Sequence, residues 1–126
     1  MICPYCKKEA KWINNKEVYG KQFGRSYMCY YCKDCDAYVG CHNNTKNPLG
    51  TMANASLRKM RQHVHSVLDP LWKSGKYTRG KIYQMLQDAF GEPVHIGESD
   101  VEKCKEIIRT LEKLKLTQIY DHIRHL

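Results

Sequence analysis

The sequence predicts an α+β protein in which a small metal-held set of strands is followed by helices. Cysteines occur in short-spaced groups, first at Cys3 and Cys6 and again between Cys29 and Cys35, among aromatic and turn-forming residues. After residue 50 apolar residues recur every three or four positions, which is the period of an amphipathic helix. We therefore divide the chain into a zinc ribbon of short antiparallel strands, residues 1–50, and a helical region, residues 51–126.

Short strands and turns fill the predicted ribbon. The segments AKWI and KEVY flank Asn14 and Asn15, and asparagine tolerates the positive φ of a tight hairpin turn, so both segments are predicted as strands. The aromatic-rich segment SYMCYY and the segment DAYVGC are two further strand candidates. The polar turn HNNTKNPLG, which contains proline and glycine, marks the end of the ribbon.

The helical region begins with an amphipathic helix whose apolar positions run from Leu57 to Leu71 and whose outer face is basic. Asp69 and Pro70 have the order of a helix cap followed by proline at the first helical position. We therefore expect a kink there, or a second short turn that stops at Gly75.

Two further helices are predicted from their end signals. Thr78 can cap a helix that Gly91 ends. Ser99 and Glu102 have the spacing of a capping box and predict the start of the next helix. Residues 117–126 are predicted as a last short helix that contributes to the same apolar core.

The cysteine spacing predicts one structural zinc ion. In CPYC, Cys3 and Cys6 provide the first pair of ligands. The second pair contains Cys35 with either Cys32, at the same two-residue spacing, or Cys29, in a wider turn that resembles those of the zinc ribbons attached to type I topoisomerases. We rank Cys29 before Cys32 and keep Cys32 as the alternative. Four thiolates leave no open position for water, so the zinc is predicted to be structural.

The other cysteines are not predicted to bind metal. Cys41 and His42 are adjacent and point to opposite sides of a strand, so we expect a buried thiol beside a solvated imidazole. Cys104 lies on the apolar stripe of its helix and is predicted to be part of the core. The N-terminal MICPYCKKEAKW lacks the apolar core of a signal peptide, so a reducing, cytoplasmic setting is expected. Seven thiols, an odd number, cannot all pair, and metal binding is therefore favoured over a disulfide framework. No run of apolar residues is long enough to span a membrane.

The charge is concentrated in the first two thirds of the chain. Residues 1–50 carry eight basic and four acidic side chains, residues 51–80 six and one, and residues 81–126 seven and eight. An excess of cations favours an anionic partner, most simply nucleic acid. Exposed tyrosine and phenylalanine rings among cations can stack on bases, and we expect about half of the ribbon's rings to face outward. The predicted contacts are Lys16, Lys21, Arg25 and Lys33 on the ribbon and Arg58 and Arg61 on the first helix.

A longer stretch carries a family resemblance. The segment CDAYVGCHNNTKNPLGTMANASLR, continued by RQHVHSVLDPLW and by HIG followed by Asp100 and Cys104, resembles a family of small bacterial and phage-encoded proteins described as zinc-finger-containing, of unassigned function. The likeness joins the ribbon, the PLG turn and the first helix in order, from CPYC to about Cys104. It implies the fold and a phage or prophage setting but no activity, and it leaves Cys29 and Cys32 both open.

The sequence therefore favours a non-enzymatic protein that binds nucleic acid, a phage or prophage accessory factor. The alternative is a protein-binding module that modulates or inhibits a host enzyme, with zinc only shaping the surface. A third hypothesis is a hydrolase or nuclease that uses Arg61, His65 and Asp69, which can share one helical face. For these three residues a structural network that ties the helix to the ribbon or to the PLG turn is the preferred interpretation.

Overall fold

The structure is a computed structural model of the 126-residue chain. It describes the backbone of residues 1–22 and 24–124, and the side chains of these residues except 118 and 120–124. The elements in chain order are strand β1 (Lys11–Asn14), helix α1 (Asn15–Tyr19), strands β2 (Met28–Cys32) and β3 (Ala37–Gly40), and helices α2 (Ala55–Lys73), α3 (Arg79–Phe90) and α4 (Val101–Arg124). A single 3₁₀ turn, Ile96–Glu98, precedes α4. The predicted α+β class is confirmed.

The three strands form one antiparallel sheet in the order β1-β2-β3. Trp12, Tyr30 and Val39 lie opposite one another across it, and Cys32 lies opposite Ala37. Because side chains alternate between the faces of a strand, these residues share one face. That face packs on a small core containing Cys3, Ala10, Ala37, Val39 and Met52.

The predicted strand KEVY is wrong, because these residues belong to the short helix α1. The side chain of Asn14 accepts a hydrogen bond from the backbone N–H of Lys16 and so caps the helix, and Gly20 ends it at φ 77°. Asn15 is buried, with its amide donating to the Arg25 carbonyl at 3.1 Å and accepting from the Tyr27 N–H at 3.2 Å. Asn14 therefore caps a helix, and Asn15 holds the loop before β2 by hydrogen bonds. The strand that pairs with β1 is β2 rather than KEVY.

Helix α2 is longer and more continuous than the sequence predicts. Asn54 caps it by accepting from the backbone N–H of Leu57 at 3.1 Å. The helix continues through Pro70 to Lys73, so Asp69 and Pro70 do not end it. Asp69 accepts a hydrogen bond from the indole N–H of Trp72 at 3.2 Å, which holds the two side chains together within the last turn.

The ends of α3 confirm the prediction, whereas the start of α4 corrects it. Thr78 accepts from the Lys81 N–H and Gly91 closes α3 in the left-handed conformation. The cap of α4 is Asp100, which accepts from the Lys103 N–H at 2.8 Å. Ser99 instead donates its hydroxyl to the His95 carbonyl.

The predicted helix over residues 117–126 is the continuation of α4, and residues 125 and 126 lie outside the described part. The helices have an apolar core of their own that includes Cys104, as predicted. Its fully buried members include Val64, Leu68, Ile82, Leu86, Ile107 and Leu111.

By its contacts the chain divides into two compact units, Met1–Arg58 and Lys59–Leu126. The division lies after Arg58, within α2, rather than at the predicted residue 50, because the PLG turn and the residues just before α2 bond to the sheet. Tyr38 and Ala53 exchange backbone hydrogen bonds of 3.1 Å, and Leu49 donates to Gly40 at 2.8 Å. No helix in the described ranges combines the length and the apolar character needed to cross a lipid bilayer.

Candidate metal centre

Two tight Cys-x-x-Cys turns bring four cysteines together. In the first, the N–H of Lys7 donates to the Cys3 carbonyl at 2.9 Å and Lys7 has φ 65°. In the second, the N–H of Asp36 donates to the Lys33 carbonyl at 3.2 Å and Asp36 has φ 49°. Each turn thus consists of Cys-x-x-Cys followed by one residue in the left-handed region. The hydrogen bond spans four residues in the first turn and three in the second.

The sulfur atoms of Cys3, Cys6, Cys32 and Cys35 all lie within 4.8 Å of one another. The Cys6 and Cys32 sulfurs are 3.7 Å apart. A tetrahedral zinc ion with Zn–S bonds of about 2.3 Å requires sulfur atoms about 3.8 Å apart. The cluster therefore has the size and donor set of a four-thiolate zinc site, the type that structural zinc occupies.

Cys32, rather than the first-ranked Cys29, is the fourth member of the cluster. Cys29 and Cys32 are three residues apart on β2 and so point to opposite faces of the sheet. Cys32 shares its face with Ala37 and packs against the core around Cys3. Cys29 is 1 % exposed, and its thiol lies 3.5 Å from the Ile13 carbonyl. The second pair of ligands is therefore Cys32 and Cys35, at the two-residue spacing, and the wider turn that begins at Cys29 is not used.

The environment of the sulfurs fits a bound cation. Burial alone raises the pKa of Cys3, but hydrogen bonds from the backbone N–H groups of Cys6 and Tyr5 and from neighbouring thiols lower it to about 7. Burial, together with the thiols of Cys6, Cys32 and Cys3, raises the pKa of Cys35 to about 12. Four sulfurs at this distance cannot all carry a negative charge unless a cation balances them. A divalent metal provides that charge and, with all four positions filled, leaves no site for substrate.

Comparison with known families supports the same metal. Residues 1–114 match the model of a family described as a zinc-finger-containing domain. The chain belongs to this family. Comparisons with curated proteins and with solved structures gave no significant match. The family and the four-cysteine cluster together identify the cofactor as structural zinc, and the resemblance found in the sequence is confirmed.

Arg58, a predicted nucleic-acid contact, is a structural residue of the N-terminal unit. Its guanidinium donates to the Asp36 carbonyl at 2.6 Å, to the Ala53 carbonyl at 2.9 Å and to the Asp36 carboxylate at 3.1 Å. It also lies over the ring of Tyr38, with 4.2 Å between the guanidinium carbon and the ring centre. Arg58 therefore fastens the start of α2 to the second cysteine turn.

Arg61 is likewise engaged within the C-terminal unit. Its Nε and one terminal nitrogen donate to the Ser99 carbonyl at 3.2 and 3.0 Å. Asp69 accepts from Trp72. These bonds do not form the predicted network to the ribbon or to the PLG turn, because Arg61 binds the segment before α4 and the bond of Asp69 lies within α2. The hydrolase hypothesis gains no support from them.

The other predicted contacts, Lys16, Lys21, Arg25 and Lys33, are all exposed. Lys33 lies inside the second cysteine turn, and the other three lie on α1 or in the loop between α1 and β2. Of the aromatic residues in the ribbon, Tyr27, Tyr30, Tyr31 and Tyr38 are half-buried, Tyr19 is 43 % exposed, and Phe23 lies outside the described residues. Cys41 is buried and His42 exposed, as predicted.

Sequence reasoning missed Trp12, which is 39 % exposed and has the ammonium of Lys46 4.8 Å from its ring centre. The alternation within AKWI placed Trp12 on a strand but gave no sign that its ring would reach solvent. Lys46 belongs to the polar turn after β3, far from Trp12 in the chain. Only the pairing of the strands brings the two residues into contact.

Proposed function

We propose that this protein binds nucleic acid through the exposed cations of its zinc-held N-terminal unit, without acting on it as an enzyme. The observation that carries the proposal is that every lysine and arginine in residues 1–57, eight in all, is exposed. The same residues contain four carboxylates. Two of these are engaged by other cations, Glu9 by the N-terminal ammonium at 2.8 Å and Asp36 by Arg58.

The excess of positive charge remains after the metal is counted. Residues 1–58 carry nine basic and four acidic side chains, a net charge of +5. Zinc with four thiolates contributes about −2, which leaves about +3 on a unit of 58 residues. Such a surface attracts phosphates irrespective of base sequence.

The proposed interface consists of Lys16, Lys21, Arg25 and Lys33. Arg58 and Arg61 are left out of it because their guanidinium groups bind backbone carbonyl groups. Zinc acts as a scaffold in this proposal. It holds the turn that contains Lys33 in one conformation, so less conformational entropy is lost when a phosphate binds.

A binding titration of the zinc-loaded protein tests the proposal, with single-stranded DNA, duplex DNA and RNA oligomers at several salt concentrations. Four phosphate contacts predict that log affinity falls with log salt by a slope of roughly 3 to 4, at about 0.7 per contact for single strands and 0.9 for duplexes. The double reversal Arg25→Glu with Lys33→Glu should weaken binding and lower that slope by about 2.

A matched control is the double reversal Arg109→Glu with Lys113→Glu, which makes the same charge change on exposed residues of α4. It should alter binding far less if the N-terminal unit is the interface. Equal weakening by the two double variants would show that only total charge matters. Absence of binding to every oligomer at low salt would refute the proposal.

Protein binding is the second candidate function, in which the unit would modulate a host enzyme. It is favoured by two large apolar side chains that reach solvent in the N-terminal unit, Ile2 at 53 % and Leu49 at 59 % exposure. Exposed apolar side chains mark a contact surface only where they form one patch, so this candidate requires Ile2 and Leu49 to act together. Ile2→Ser with Leu49→Ser should abolish capture of a host protein under this proposal and leave oligonucleotide binding unchanged. The resemblance in sequence adds the expectation of a phage or prophage origin.

A further inference from the structure

A cleft of about 550 Å³ opens at the end of the sheet where β2 begins. Its walls are Trp12 and Asn14 of β1, residues 26–28, and the loop 41–46 that follows β3. Cys32, the cluster member on β2, lies at the other end of that strand. The cleft is therefore separate from the metal centre, and its volume is in the range of small-molecule sites, about 300–1,000 Å³.

The lining of the cleft is aromatic, amide-rich and free of carboxylates. Trp12 presents part of its indole ring to solvent, and Lys46 is the lysine of the lining. Within the described residues, the side-chain amides of Asn43 and Asn44 have no protein partner and can donate and accept hydrogen bonds. Such a lining complements a ligand that has a planar ring, hydrogen-bonding edges and a negative charge. A nucleotide combines all three.

We propose that the cleft binds one nucleotide of a single-stranded nucleic acid, with the base stacked on Trp12 and its edge facing the amides of Asn43 and Asn44. The phosphate then lies beside Lys46. This proposal rests on the proposed function and adds to it the form of the nucleic acid. Bases inside a duplex are stacked on one another and cannot enter a cleft, so the site selects single strands.

Both walls of the cleft are held by hydrogen bonds. In the loop, the His42 N–H donates to the Asn47 carbonyl at 2.9 Å, and the hydroxyl of Tyr30 donates to the Lys46 carbonyl at 2.7 Å. In the opposite wall, the Asn14 amide donates to the Ser26 hydroxyl at 2.7 Å, and the buried Asn15 holds Tyr27. A site already in its binding conformation loses little entropy when the ligand enters.

The ammonium of Lys46 is 4.8 Å from the ring centre of Trp12. A cation–π contact of an exposed lysine is weaker than the stacking of a base on an indole. A base can therefore displace the ammonium from the ring, and the freed charge is at the right position for the phosphate of the same nucleotide.

The test uses the full zinc-loaded chain with Trp72→Phe, so that Trp12 is the remaining one of its two tryptophans. A homopolymer of thymidine or uridine should quench the fluorescence of Trp12, whereas a blunt duplex should not. Fluorescence anisotropy of a labelled oligomer, which does not depend on tryptophan, measures the affinities of the variants. In that assay Trp12→Ala should weaken single-strand binding by roughly 5- to 150-fold, the range that loss of one stacked base gives. The salt slope should stay unchanged, because stacking releases no counterions.

A second variant keeps the test valid if Trp12→Ala disturbs the sheet, which zinc content and circular dichroism would reveal. Asn44 has φ 57°, a conformation that glycine adopts freely, so Asn44→Gly removes the amide without changing the backbone. It should weaken single-strand binding by about 2- to 12-fold. The parent with Trp72→Phe is the control for both variants.

The outcomes separate this proposal from the proposed function. If single strands bind with the expected salt slope but neither variant weakens them and Trp12 is not quenched, the cleft is not the site and the cationic interface stands. Equal affinity for single strands and duplexes would also overturn the nucleotide site. If no oligomer binds, both proposals are wrong.

Discussion

Replacing Cys32 and Cys29 separately by serine provides the sharpest test of the metal centre. The sulfur of Cys32 belongs to the four-sulfur cluster and is 3.7 Å from that of Cys6. The binding free energy of a structural zinc ion is about 10–16 kcal/mol. An equal share for each thiolate is about 2.5–4 kcal/mol, so Cys32→Ser should weaken zinc binding by roughly two to three orders of magnitude.

Cys29→Ser is the matched control, because it makes the same chemical change on the same strand. Its thiol is 1 % exposed and lies 3.5 Å from the Ile13 carbonyl. A buried hydroxyl that bonds imperfectly there should lower the stability of the unit by about 1–3 kcal/mol. Part of this cost will also appear in the zinc affinity if folding and metal binding are coupled, so affinity alone does not separate the two variants.

Cobalt(II) substitution separates them, because absorption from thiolate-to-cobalt charge transfer scales with the number of thiolates on the metal. The Cys29→Ser protein should keep the full intensity of a four-thiolate site, and the Cys32→Ser protein should lose about a quarter, one thiolate of the four. Competition with a coloured chelator then gives the zinc affinities. The reverse result, in which Cys29→Ser loses the thiolate band and Cys32→Ser keeps it, would refute the ligand set of the structure.

Three further changes test the stability of the two units. Removal of zinc by a chelator should unfold Met1–Arg58 and leave most of the helical circular dichroism, since the helices bury apolar residues of their own; loss of both in one transition would contradict this. Arg58→Ala should lower the stability of the N-terminal unit by about 2–3 kcal/mol in urea unfolding, through three hydrogen bonds and a cation–π contact, and an equal effect of Lys59→Ala at the exposed neighbouring position would count against it. Thr78→Ala should cost about 1 kcal/mol because Thr78 caps α3, and Thr78→Ser should restore that stability in thermal unfolding.

The features that the sequence predicted well depend on neighbouring residues. The first cysteine turn follows from CPYC, and the ends of α3 follow from Thr78 and Gly91, each of which acts within four residues of its own position. The recurrence of apolar residues every three or four positions predicted α2 and the first part of the buried face of α4, because this signal also depends only on neighbouring residues. Capping and amphipathic signals are local, so a single sequence contains them in full.

The errors concern choices that distant residues decide. The sequence allows both Cys29 and Cys32 and ranks Cys29 first, but the face of β2 that meets the core around Cys3 selects Cys32. Asn14 and Asn15 suit both a hairpin turn and a helix cap, and the bonds of Asn15 to Arg25 and Tyr27 favour the helix.

Distant residues also decide whether the charge of Arg58 is exposed to solvent. Its position on the basic side of an amphipathic helix predicts a solvated cation. Only the folded chain brings the carbonyl groups of Asp36 and Ala53 within reach of its guanidinium. A count of charges along a helix therefore overestimates how many are available to a ligand.

The left-handed residue after each cysteine pair determines which substitutions the metal turns tolerate. Lys7 and Asp36 are both exposed, and exposed positions ordinarily accept most side chains. Their positive φ instead excludes proline and disfavours β-branched residues, while glycine and asparagine fit. Asp36 also accepts from Arg58, so asparagine should be tolerated there better than glycine. In a mutational scan, these two solvent-facing positions should therefore be as restrictive as buried ones.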